Sequence, residues 1–154
     1  MVSMKLTSHG FWSHSKEFLA AADVYRPVRG KDGLGDSISL VAYYLIGHSI
    51  ELSLKSYLYS KGYTEKTLRH PKKFGHNLSN LLAECRRRKL GREVKLTRYE
   101  IKAINVLSDT YKSKKFEYIE YGTYRAPKYF FIRDVAEKLV NGLRRYAMNS
   151  SFNK

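Results

Sequence analysis

The stretch "RHPKKFGHNLSNLL", residues 69–82, places Arg69, His70, Lys72, Lys73 and His76 within eight residues, just ahead of a leucine run. Imidazoles move protons near neutral pH, and clustered cations bind phosphate. The same residues also fit a structural task. Gly75, His76 and Asn77 sit where a helix begins, so Asn77 or His76 can cap exposed amides and Phe74 can staple onto Leu78. A helix start beside Arg69, Lys72 and Lys73 is also an anion site, since free amides and the positive dipole end point outward there. Active site, phosphate grip and helix start are the three readings of this segment.

A second polar set lies earlier. Tyr44, His48, Glu51 and Lys55 follow one another at steps of four, three and four, which is one stripe of a helix. Facing solvent, the stripe is an exposed surface with an internal ion pair. Facing another helix or a second subunit, Glu51 orients His48 and fixes its tautomer.

Two basic segments follow. "RRRKLGREVKLTR", residues 86–98, sets Arg86, Arg87, Arg88, Lys89, Arg92, Lys95 and Arg98 against Glu93 alone. A helix dipole is served by one or two such charges. The excess fits a phosphate-facing patch as well as a solvated surface. In "KSKKFEYIEYGTYRAPKYFF", residues 112–131, Tyr118, Tyr121, Tyr124 and Tyr129 interleave with Lys114, Lys115, Arg125 and Lys128. Rings for stacking beside cations for phosphates suit single-stranded nucleic acid. The alternative is that the rings cover the end of a helical bundle and donate hydroxyl hydrogen bonds.

Other chemistries find no support. Cys85 lies on the apolar side of a helix, and the spacing of Cys and His matches no metal site. "GKDGLG" lacks the Gly-Lys-Ser/Thr ending of a phosphate-binding loop. No cofactor is expected. The net charge of +15 points to a polyanionic partner, nucleic acid first and an acidic protein or membrane headgroups next. A single cysteine fits a reducing compartment, and no run approaches a membrane span, so the expected location is the cytoplasm.

The 154 residues read as one all-α domain of four to five helices in an antiparallel bundle, with the tail frayed from about residue 149. The first helix is expected over 12–25, with Trp12, Phe18, Leu19 and Ala22 at helical spacing. Asp36 is the expected cap of a long central helix that Gly62 ends. A third helix is expected from Asn77 to Lys89, burying Leu78, Leu81, Leu82 and Cys85 and stopping at Gly91. Thr97 and Glu100 form a capping box for a fourth helix that runs to about Lys112. Residues 114–130 read as a loop or a short hairpin, and a last helix covers 131–148.

"GHSIELSLKSYLYSKG", followed after a short connector by "KKFGHNLSNLL", resembles the HEPN superfamily of small helical domains. The resemblance covers about residues 36–90. It implies a bundle of four or five helices that often dimerises. Many such proteins are metal-independent ribonucleases of toxin–antitoxin and defence systems, and others bind RNA, nucleotides or partner proteins. The ribonuclease motif is Arg, four to six residues, then His, with a polar residue after the Arg. Arg69 and His76 match it, with His70 as the polar residue. With five His and about 12 Arg in the chain, the bare spacing is expected about once by chance. Nuclease members keep the motif nearer their last helices, whereas this chain has no His after residue 76.

Three functions follow. The first is a polyanion-binding module for RNA or a nucleotide, using Lys72, Lys73, Arg86, Arg87, Arg88, Arg92, Tyr124 and Arg125. The second is a metal-independent endoribonuclease with Arg69 and His76 as the catalytic pair and His48 and Glu51 in support. The third is an interaction domain for an acidic partner protein or antitoxin. A homodimer is expected in each case.

Overall fold

The computed structural model describes residues 1–2, 7–27, 39–117 and 122–152, with side chains to residue 149. Its regular elements are helical: α1 (Ser8–Val24), α2 (Leu40–Ser60), α3 (Glu65–Leu68), α4 (Leu78–Arg87), a 3-10 turn (Leu90–Arg92), α5 (Arg98–Tyr111) and α6 (Tyr129–Phe152). Five are the long helices the sequence calls for. The sixth, α3, is a single turn inside the segment expected to be a plain connector. Thr64 starts it by accepting from the Thr67 amide. No strand occurs among the described residues, so 114–130 contains no hairpin there.

Helix α2 is the centre. Ala42, Ile46, Ile50, Leu54 and Leu58 recur every four residues and are fully buried. Each such side chain withdrawn from water contributes about 1.5–3 kcal/mol for the larger ones. The other faces of α2 are also covered, because α1, α4, α5 and α6 all pack on it. Ser39 caps α2 by accepting from the Ala42 amide at 3.2 Å, while Asp36, the expected cap, lies outside the described residues. The α2 chain leaves its helix through Gly62 at φ +93°, as its position required.

Helices α1 and α2 meet along a serine seam. The Ser8 hydroxyl donates to the Ser56 carbonyl, Ser56 to the Ser8 carbonyl and Ser49 to the Ser15 carbonyl, at 3.0, 2.7 and 2.8 Å. Small side chains let the two backbones approach, and each of these three hydroxyls finds a carbonyl, whereas the buried Ser53 hydroxyl has no partner among the described residues. Helix α1 starts four residues before its expected first turn, capped by Thr7. Trp12 then ties it to α6 by donating to the Val140 carbonyl at 2.7 Å.

The third expected helix ends sooner than its glycine suggested. Lys89, not Gly91, takes the left-handed conformation (φ 68°) after Arg87–Arg88, and Gly91 lies inside the 3-10 turn. At α5 the capping box forms as expected, Thr97 and Glu100 each holding the other's amide. Glu100 also accepts from the Lys138 ammonium at 2.9 Å, which fastens the start of α5 to α6. The aromatic segment covers one end of the molecule. Tyr43 stacks on Phe116, Phe116 on Tyr124, and the Tyr43 hydroxyl donates to the Pro127 carbonyl. Among the described residues no helix is long and apolar enough to cross a membrane.

Candidate functional site: a buried carboxylate between two histidines

The polar stripe of α2 faces inward. Glu51 is 2% exposed and Lys55 is 7% exposed, and Lys55 donates to Glu51 Oε1 at 2.5 Å. A lone charge at that depth would be costly, but the pair, one helical turn apart, meets its own counter-ion. Oε2 of the same carboxylate receives two more groups. The Tyr111 hydroxyl donates to it at 2.7 Å from the end of α5. The His76 Nδ1–H donates to it at 3.0 Å from the turn ahead of α4. An ionised carboxylate only accepts, so this contact places the His76 proton on Nδ1.

His48 stands one turn before Glu51. Its Nδ1 lies 2.9 Å from the Tyr111 oxygen and 3.6 Å from Glu51 Oε2. Phe18 of α1 makes an edge-to-face contact with the ring at 4.3 Å and Tyr44 stacks on it at 5.9 Å, so two aromatic rings confine the imidazole. The ring of Tyr111 reaches this place because residue 47 is glycine: a Cβ there would lie 2.5 Å from Tyr111 Cδ2.

The turn that delivers His76 is built locally. Lys73 and Phe74 donate their amides to the His70 carbonyl, and Gly75 adopts φ +40°. A Cβ on Gly75 would meet the Pro71 Cα at 3.2 Å, so a glycine is wanted here on two counts. Asn77, not His76, caps α4, accepting from the Asn80 amide at 3.0 Å, and Ser108 takes the Ser79 amide. Two amides of the helix start are therefore already satisfied within the chain. What this site offers an anion is side-chain charge.

These contacts set the protonation states. Burial acts to raise the Glu51 carboxyl, but the nearby His48 imidazole, the hydrogen bond from His76 and the charge of Lys55 hold it far below the usual carboxylate range. The hydrogen bond to Glu51 raises the His76 imidazole above its ordinary value, against its partial burial. Burial, and then the charge of Glu51, push the Tyr111 phenol far above its ordinary range. Tyr111 is therefore a donor at any working pH.

Above the carboxylate lies a cleft of about 460 Å³, whose walls include His48, Lys55, Leu68, Arg69 and His76. His76 is 44% exposed and Arg69 is 75% exposed, the latter paired with Glu65 at 2.8 Å. So Arg69, His76, His48 and Glu51, expected as one set, share one cleft. Lys72 and Lys73 are exposed on the turn beside it, without an ion pair among the described residues. The remaining cations lie elsewhere. Arg87 and Arg88 are engaged by Glu84, at 2.5 and 3.4 Å, and Arg88 lies over the Tyr63 ring. Arg86 lines a second depression with Lys95, and Arg92 is exposed. Tyr124 packs on Phe116, and Arg125 is exposed while its carbonyl accepts from Thr110. Tyr118 and Tyr121 lie outside the described residues.

Tyr111 and Gly47 are the site residues that sequence reasoning missed. A signal for Tyr111 did exist. It continues the inward spacing of Ile104 and Leu107, and a buried tyrosine needs a partner for its hydroxyl. Cys85 is buried, its thiol donating to the Leu54 carbonyl at 3.4 Å, and burial pushes its pKa well up. Among the described residues no His, Cys, Asp and Glu side chains form a set that could hold a metal ion. Compared with protein-family models, curated proteins and solved structures, this chain matches none.

Proposed function

We propose that this chain is a HEPN-like antiparallel helical bundle that binds RNA, with a backbone phosphate seated between Arg69 and His76. One observation carries the reading: both side chains line the same cleft, directly above the Glu51–Lys55 pair. Arg69 offers a planar fork that suits phosphate oxygens. His76, raised toward its charged form by Glu51, adds a second cation as pH falls. Lys72 and Lys73 extend the charge along the turn, and the net charge of +15 draws a polyanion from a distance.

A second reading, metal-independent cleavage, is favoured by a specific observation. His76 has its Nδ1 committed to Glu51, and no hydrogen bond engages its Nε2 among the described residues. Such an imidazole is a base when neutral and an acid when charged. The step would join the ribose 2′-oxygen to phosphorus as a base takes the hydroxyl proton. The bond from phosphorus to the 5′-oxygen would break as an acid protonates the leaving oxygen. Arg69 would neutralise charge on the five-coordinate phosphorus.

Cleavage of an RNA oligonucleotide in EDTA tests this. The proposal expects products from the unaltered chain and a loss of at least about 100-fold in His76→Ala and Arg69→Ala. Cleavage that survives both changes refutes the catalytic assignment. Binding without cleavage leaves the first reading in place and removes the second.

A further inference from the structure

We infer that Tyr111 is a positioning residue that ties His48 to Glu51, so that one chain alone carries two imidazoles held in the same tautomer beside the cleft. The number of available protons fixes the donor in each contact. Tyr111 has one hydroxyl hydrogen, and an ionised carboxylate can only accept. At 2.7 Å from Glu51 Oε2 that hydrogen goes to the carboxylate. The tyrosine oxygen then faces His48 Nδ1, 2.9 Å away, with lone pairs only. His48 must therefore donate through Nδ1–H. The direct path from His48 to Glu51 is 3.6 Å, beyond a good hydrogen bond, so the orienting contact runs through Tyr111.

The consequence is symmetrical. His76 is held by Glu51 directly and His48 by Glu51 through a phenol. Neither ring has a hydrogen-bond partner on Nε2 among the described residues. Both rings line the same cleft. Displacement at phosphorus needs one group to take a proton and another to give one. Resting on the cleavage reading, the inference supplies both from a single protomer, with no second subunit needed to complete the pair. The surroundings are built for it. Gly47 leaves room for the Tyr111 ring, and Phe18 and Tyr44 confine the His48 ring. Among the described residues, the charged and titratable groups around the two rings include Tyr44, Glu51 and Lys55 of α2, Tyr111 of α5, Glu65 and Arg69 on the cleft wall and, more distantly, Glu117.

Nitrogen-15 NMR of the imidazoles, on the full chain at a pH where both rings are neutral, reads the tautomers directly. The inference expects Nδ1–H on both His48 and His76. In Tyr111→Phe it expects His48 to become a mixture of tautomers while His76 is unchanged. In Glu51→Gln both rings lose their fixed form. Nε2–H on His48 in the unaltered chain overturns the inference without any variant, and so does a His48 signature untouched by Tyr111→Phe. If the unaltered chain cleaves RNA in EDTA, Tyr111→Phe lowers kcat at least about tenfold with KM little changed. If the tautomers are as expected and no RNA is cleaved, the cleavage reading falls and the positioning role of Tyr111 stands.

Discussion

The Cβ that Gly47 lacks would lie 2.5 Å from Cδ2 of Tyr111, so the two residues fit only because one has no side chain. Two effects of opposite sign act on Gly47→Ala. Alanine in a helix interior is favoured over glycine by about 1 kcal/mol. Forcing a methyl group into a packed ring costs about 1–3 kcal/mol. The ring is 3% exposed and its hydroxyl is anchored on Glu51, so it has little room to move. The overlap should win. Chemical denaturation should find Gly47→Ala less stable than the unaltered chain, and a stabilised variant would show that the ring is free to yield.

Glu51→Gln should be among the most damaging conservative changes in the chain. It keeps the shape of the side chain but leaves the ammonium of Lys55, 7% exposed, without its anion. Removing one partner of a buried pair costs about 3–5 kcal/mol. Adding Lys55→Met to Glu51→Gln should recover a large part of that loss, because the stranded charge is then gone. Denaturant unfolding of both variants checks this, and a double variant no more stable than Glu51→Gln would contradict it.

His76 couples stability to pH. Its folded pKa is raised above the ordinary 6.5, chiefly by the hydrogen bond to Glu51. A raised value means that the folded state holds the proton more tightly than the unfolded chain does. The contribution is therefore complete below about pH 6.5 and is lost as pH rises through the folded value. The difference in Tm between the unaltered chain and His76→Gln should be largest in mild acid and shrink on the alkaline side. A difference that grows with pH would reverse the assigned sign.

How much of this was legible in the sequence follows from how local each feature is. The capping box at Thr97 and Glu100 spans four residues and could be read outright, as could the buried face Leu78, Leu81, Leu82 and Cys85. The stripe Tyr44, His48, Glu51, Lys55 was visible as a spacing, but spacing does not say which side a stripe faces. Burial of Glu51 and Lys55 depends on α1, α4 and α5 closing over α2. The meeting of His76 with Glu51 joins positions 25 apart, and that of Tyr111 with Glu51 joins positions 60 apart. No periodicity within one helix encodes such pairs. Arg87 and Arg88 show the reverse limit. They read as phosphate ligands, yet Glu84, on the same helix and within four residues of both, engages them.

The central claim is that RNA is held at the Arg69–His76 cleft, and a salt titration of binding tests it most directly. Affinity for a short single-stranded RNA is measured from about 50 to 200 mM salt, where the logarithm of the binding constant should fall linearly with that of salt. Arg69→Ala should weaken binding and reduce the slope by about one phosphate contact. His76→Ala should weaken binding more at pH 6 than at pH 8, since the raised imidazole is charged at the lower pH. Arg87→Ala, whose guanidinium is held by Glu84 away from the residues that line the cleft, should leave the slope nearly unchanged. An affinity that is flat across salt, or one that ignores Arg69 and His76 while depending on Arg87, would contradict the account.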